Sequence, residues 1–179
     1  MKPIGWTRGL ALIVGGIAAA AAGAAAGDEV AAGRVAVRFF EPETFTDLRE
    51  AGLDFENERG RAFYLPLFQK HLEQRAPRYL KEGERLELTF TDIDLAGEFE
   101  PGRGLAYYDV RIVRDRYLPR LAFQFRVTAA DGTVVKEGER RLADGSFMIR
   151  GAGMDNDSLR YEKAMLDDWM RREFRRAKD

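Results

Sequence analysis

Leu121, Phe123, Phe125 and Val127 alternate with Ala122, Gln124, Arg126 and Thr128. Successive side chains of a strand leave opposite faces, so this period fixes a strand with one buried and one wet face. Ala130-Asp131-Gly132-Thr133 follows, and then a second β-rich run from Val134 to Leu142. The Asp-Gly pair predicts a tight hairpin closed by a primed turn. Antiparallel strands are therefore expected near 120–129 and 134–142. An isolated hairpin is at best marginal in water, so the rest of the chain must supply more strands and a cover.

Arg34 to Phe40 reads as a strand, ended by Pro42. Glu43 to Asn57 reads as a polar connection tacked to the core by Phe45, Leu48, Leu53 and Phe55. Between Arg61 and Tyr79, the residues Leu65, Phe68, Leu72, Ala76 and Tyr79 recur at helical spacing. Proline is best tolerated in a first turn, so Pro66 places the helix start near Phe63, and Pro77 and Gly83 close the unit. Leu86, Leu88 and Phe90 alternate with polar residues, but Ile93 and Leu95 fall in the opposite phase. A bulge or strand end near Thr91 accounts for the flip. Ala96 to Tyr108 is expected as loop, and Gly145 to Met154 as irregular.

Asp157 and Ser158 are suitable N-caps for a closing helix from about Leu159 to Arg175. Its apolar positions are Leu159, Leu166, Trp169, Met170 and Phe174. Acids come early and bases late, as the helix dipole favours. The fold class is α+β: a small, mainly antiparallel sheet in β-α-β-β-β-α order, with two helices covering one face. One helix cannot cover three or four strands, so the closing helix is expected in the core.

The N-terminus reads differently. Lys2 and Arg8 precede an unbroken run of small or apolar residues from Gly9 to Ala26. A short hydrophobic stretch, Leu10 to Val14, and the Ala24-Ala25-Ala26 pattern predict a cleavable signal peptide over 1–26. A flexible leader over 27–33 and a single α+β domain over 34–179 follow. A membrane span needs about 20 strongly apolar residues, and this Ala- and Gly-rich run is a weak substitute. Past Ala26 nothing approaches that length, so the product is expected to be soluble and exported, periplasmic if the source has two membranes.

No cysteine occurs, which excludes disulfides, thiolate metal sites, a cysteine nucleophile and a lipid-modified cysteine. After the signal peptide, 27 basic residues face 30 acidic ones, and no basic footprint for nucleic acid is present.

Several stretches carry a family likeness: Thr91 to Gly97, Asp109 to Asp115, Tyr117 to Arg120, Leu159 to Lys163 and Asp167 to Trp169. Phe39 to Asp47 fits the same pattern through Pro42, Phe45, Thr46 and Asp47. In this order they resemble a bacterial family of signal-peptide-bearing exported proteins, defined only as a domain of unknown function. Where that family carries a Pro-Pro pair, this chain has Leu118-Pro119. The resemblance implies export and a single domain, and brings no activity, cofactor or catalytic residue.

Candidate chemistry is sparse. The serines are Ser146 and Ser158, and the one histidine, His71, reads as a partly buried helix residue. The acids Asp92, Asp94, Asp109 and Asp115 form the weak candidate set. Carboxylates gathered at a strand end can bind a hard cation or do acid/base work. Against that reading stand Arg111, Arg114, Arg116 and Arg120, close enough in sequence to pair with them. Asp155-Asn156-Asp157-Ser158 starts like a calcium loop, but Arg160 and Leu166 occupy its glycine and acid positions, so it reads as helix capping. The basic run after Arg171 reads as a solvated helix end. Neither a cofactor nor a metal site is expected. The favoured role is a non-catalytic envelope binding or interaction module with an unknown envelope protein or ligand as partner. The alternative is a carboxylate- or metal-dependent hydrolase acting on envelope material.

Overall fold

In a computed structural model, four strands form one sheet in the order Val35–Phe39, Arg85–Asp94, Arg120–Thr128 and Val134–Ala143. The structure describes residues 33–48, 54–100, 111–150 and 156–174. The expected signal peptide, most of the expected leader, Leu53 and Asp109 lie outside them.

Strand β1 (Val35–Phe39) pairs in parallel with β2 (Arg85–Asp94). Parallel neighbours need a crossover connection, and α1 (Asp54–Arg75) supplies it. Two-residue strands β3 (Glu98–Phe99) and β4 (Arg111–Ile112) form a separate antiparallel ribbon. Strands β5 (Arg120–Thr128) and β6 (Val134–Ala143) are antiparallel to their neighbours. A single-turn helix, α2 (Phe147–Arg150), precedes α3 (Arg160–Glu173). The order of the main elements is the expected β-α-β-β-β-α, with mixed α+β content.

One face of the sheet is apolar. Leu86, Leu88, Phe90, Leu121, Phe123, Phe125 and Val127 are all buried there. Rings cross it from strand to strand: Phe39 to Phe90 at 5.5 Å and Phe90 to Phe123 at 5.5 Å. Phe68 of α1 meets Phe90 at 5.6 Å, and Trp169 of α3 meets Phe123 at 4.7 Å. These two helices are the cover that the alternating strands required. The register slips between Phe90 and Asp92, the bulge anticipated near Thr91. It turns Ile93 and Leu95 into the core while leaving Asp92 and Asp94 on the other face.

Four local expectations need correction. Within 96–108, expected as loop, Glu98–Phe99 form β3, held by its pairing with β4. The first helix begins at Asp54 instead of near Phe63, and Pro66 lies inside it. Pro66 is exposed, so its missing N–H costs one backbone bond without a buried clash, and the Phe68, Leu72 and Ala76 stripe holds the helix on the sheet. The hairpin turn is not primed, because Gly132 has positive φ (85°) and Asp131 does not. The Gly132 N–H donates to the Ala129 carbonyl, giving a turn followed by a left-handed glycine, a three-residue loop. Residues 147–150, expected as irregular, form α2, anchored by buried Phe147 on the Tyr161 ring at 4.9 Å.

The N-terminus of α3 lacks a side-chain cap at Leu159; Asp157 Oδ1 accepts from the Leu159 N–H, and Lys163 Nζ donates to Asp157 Oδ2 at 2.6 Å. At the other end, Glu173 receives Arg140 on both oxygens (2.8 and 2.9 Å), Lys136 at 2.7 Å and the Trp169 indole N–H at 3.2 Å. Arg140 first, and then Lys136, hold the Glu173 carboxyl down at about 2. A depressed carboxyl stabilises the fold above its unfolded value and loses that contribution as pH falls through the folded value. Glu173→Gln should therefore cost about 2 kcal/mol at neutral pH, below the full linkage value because Lys136 and Arg140 are partly solvated. It should also flatten the loss of melting temperature between about pH 5 and pH 2, read by thermal melts across that range.

Candidate functional site

The bulge at Thr91 brings Asp92 and Asp94 onto the helix-free face near the end of β2. Asp92 accepts from the Thr46 backbone N–H (2.7 Å) and the Thr46 hydroxyl (2.9 Å). Asp94 Oδ2 accepts from Arg120 Nη1 at 2.7 Å, across the β2–β5 pairing of the same two residues. Burial raises the Asp94 pKa; Arg120 opposes the shift, and Asp47 and Asp92 add to it. Asp115 lies elsewhere, exposed, accepting from the next residue's N–H at 2.9 Å. Asp109 is outside the described residues. The sequence set thus yields one neighbouring pair, with each member engaged. No cluster of three or more metal-type side chains occurs among the described residues.

His71 donates or accepts at Nε2 with Asp167 Oδ1 (3.0 Å), and Arg75 Nη2 reaches the other oxygen of Asp167 at 2.8 Å. Burial lowers the His71 pKa, and Asp167 pulls back against it. This arrangement ties α1 to α3 and uses the only histidine.

The sequence reading missed a second cluster, formed by Asp47, Arg111 and Glu162. Asp47 Oδ2 accepts from the Leu95 N–H at 2.5 Å and from Arg111 Nη1 at 3.0 Å. Arg111 Nη1 also donates to the Gly97 carbonyl at 2.8 Å, and its guanidinium lies over the Phe99 ring at 4.8 Å. Gly97 is required here: its φ is +93°, and a Cβ would sit 2.9 Å from Arg111 Cγ. Glu162 is buried, with Oε1 accepting from the Ala96 N–H at 2.6 Å. A signal was available. Leu159, Glu162, Leu166, Trp169 and Glu173 share one stripe of α3, so two acids occupy its buried face.

The sheet's other face lies opposite α1 and α3. Across the middle of that face run Glu87, Arg126 and Glu137 in one row, and Thr89, Gln124 and Glu139 in the next. They line an open depression of about 400 Å³. Arg126 pairs with Glu137 at 3.0 Å, and Arg38 with Glu87 at 3.7 Å. Strand β6 runs for ten residues and, among the described residues, is paired only with β5, so its outer side is a sheet edge there. The opposite edge, β1, has five residues. Among the described residues no helix is long and apolar enough to cross a membrane.

Residues 33–172 match the model of a family described as a protein of unknown function, DUF3016. No curated protein and no solved structure gives a significant match.

Proposed function

We propose that this chain, which belongs to the DUF3016 family, is an exported, non-catalytic interaction module that takes up an extended segment of a partner protein along the outer edge of β6. The observation that carries this reading is the ten-residue edge itself, paired on one side only. Strand addition to such an edge draws affinity from main-chain hydrogen bonds and specificity from alternate side chains. The side chains flanking the edge on the open face are Glu137, Glu139 and Arg141. Their present pairs are exposed: Arg126 with Glu137, and Arg141 with Glu139 at 3.1 Å. Exposed pairs contribute at most about 1 kcal/mol, so they can exchange for a partner's charges at low cost. The partner chemistry this favours is an extended strand with basic residues two positions apart facing Glu137 and Glu139. Charges on the edge also discourage unspecific edge-to-edge aggregation.

Export is supported by the basic start and the apolar run Gly9 to Ala26. A hydrolytic role for Asp92 and Asp94 would first have to break their bonds to Thr46 and Arg120.

Photo-crosslinking in the producing cell tests the reading. A crosslinking amino acid at Glu139 should give one discrete adduct with an envelope protein, lost when Glu137 and Arg141 are charge-reversed together. The same probe at Lys70, exposed on α1, should give none. Equal labelling from Glu139 and Lys70, or no adduct from Glu139, would contradict it.

A further inference from the structure

Glu162 projects from the first turn of α3 and is 1% exposed. Its Oε1 takes the Ala96 N–H, and its Oε2 has no hydrogen-bond partner among the described residues. The cation acting on it from β4 is Arg111, and that guanidinium is already bonded to Asp47 and to the Gly97 carbonyl. Asp47 and Arg111 are themselves mostly buried, at 11% and 15% side-chain exposure. One positive charge therefore faces two carboxyl groups. With both ionised, the cluster would hold a net negative charge away from water, with one carboxylate oxygen unbonded. An unpaired buried charge costs several kcal/mol, and a buried acid escapes that cost by keeping its proton.

We propose that Glu162 is held as the neutral acid and works as a pH-sensitive latch joining α3 to the β2–β3 corner. Protonated, it accepts from Ala96 beside the Asp47–Arg111 pair without adding charge. Ionised, it repels Asp47 and weakens the corner. The surrounding charges leave this balance intact. On α3, Lys163 turns to Asp157 and Arg160 to the Tyr161 hydroxyl. On β2, Asp94 is bonded by Arg120 and Asp92 by Thr46. On β3, Glu98 accepts from the Phe99 N–H. The described side chains of α2 are the uncharged Phe147, Met148 and Ile149. Burial raises the Glu162 pKa and Asp47 adds to it, against the pull of the Ala96 N–H, of its own backbone N–H and of Arg111. Ala96 also belongs to a small core with Phe147 and Tyr161, separate from the main one, so that core is what the latch secures.

A group whose folded pKa is raised stabilises the fold fully below its unfolded value, and the contribution is lost as pH rises through the folded value. The test follows the Glu162 carboxyl by carbon-13 NMR across about pH 3 to 9, with thermal melts of the wild type and of Glu162→Gln. The carboxyl should titrate above the ordinary glutamate range, keeping its proton where an exposed glutamate has lost it. The wild-type midpoint should then fall as pH rises further, and the Glu162→Gln midpoint should fall less. A carboxyl that titrates at or below the ordinary value, or identical pH slopes for the two proteins, would overturn the proposal. If Glu162→Gln does not fold, the wild-type titration decides alone.

Discussion

Trp169→Ala is expected to destabilise the protein by about 3–5 kcal/mol, the usual cost of emptying a buried large aromatic site. Trp169 is 3% exposed and packs edge-on against three rings: Phe123 at 4.7 Å, Phe125 at 5.4 Å and Phe174 at 5.5 Å. Edge-to-face pairs add about 0.5–1.5 kcal/mol beyond the area they bury, and three are lost together here. The indole N–H also donates to Glu173, one of the four donors that hold that carboxylate in place. Sheet and helix on either side are rigid secondary structure, so the cavity cannot readily collapse. Chemical denaturation with an unchanged m-value and a lowered midpoint would report the loss. A cost under about 1 kcal/mol would mean that the α3 face is not close-packed on the sheet.

Deleting the chain after Asp157 should have a larger effect still: no cooperative unfolding transition, and aggregation on expression. The deletion removes Leu159, Met165, Leu166, Trp169 and Met170, all buried in the main core. It uncovers Phe123 and Phe125 on β5 and leaves Arg75 and His71 of α1 without Asp167. Each fully buried large aliphatic or aromatic side chain contributes about 1.5–3 kcal/mol, and a domain of this size is stable by only about 5–15 kcal/mol. Calorimetry of the truncated chain checks this. A transition surviving at the original midpoint would make α3 a detachable arm and free it for binding.

The elements that the sequence revealed share a physical cause. Strand β5 alternates cleanly because one of its faces packs under α3 while the other meets water. The phase flip at Thr91 was readable because a bulge shifts every later side chain to the other face. The α3 stripe was readable for the same reason, at helical period. What escaped notice depended on contacts distant in sequence. Pro66 suggested a late helix start, since nothing local shows that its turn faces solvent and that Phe68 and Leu72 anchor the helix beyond it. The parallel pairing of β1 with β2 follows from the α1 crossover, which alternation does not encode. The arginines from Arg111 to Arg120 were expected to pair with the acids as a group, but only the β2–β5 register, which brings residues 26 apart in sequence together, makes Asp94 and Arg120 cross-strand partners. Glu162 sits where an acid suits a helix start, and only its place on the buried stripe of α3 marks it as a core residue.

In the proposed reading, α1 and α3 are both consumed in covering one face of the sheet, leaving the β6 edge as the surface for a partner. Native-state hydrogen exchange tests it most directly, because local opening and global unfolding separate by free energy. The amides of Leu166, Trp169 and Met170 should exchange only through global unfolding, at the same free energy as those of Phe123 and Phe125. Amides of β6 that point away from β5 should exchange fast in the isolated protein and become protected once the crosslinked partner is added. The account is contradicted if α3 exchanges by a low-energy local opening while β5 stays protected, or if the outward β6 amides are unchanged by the partner.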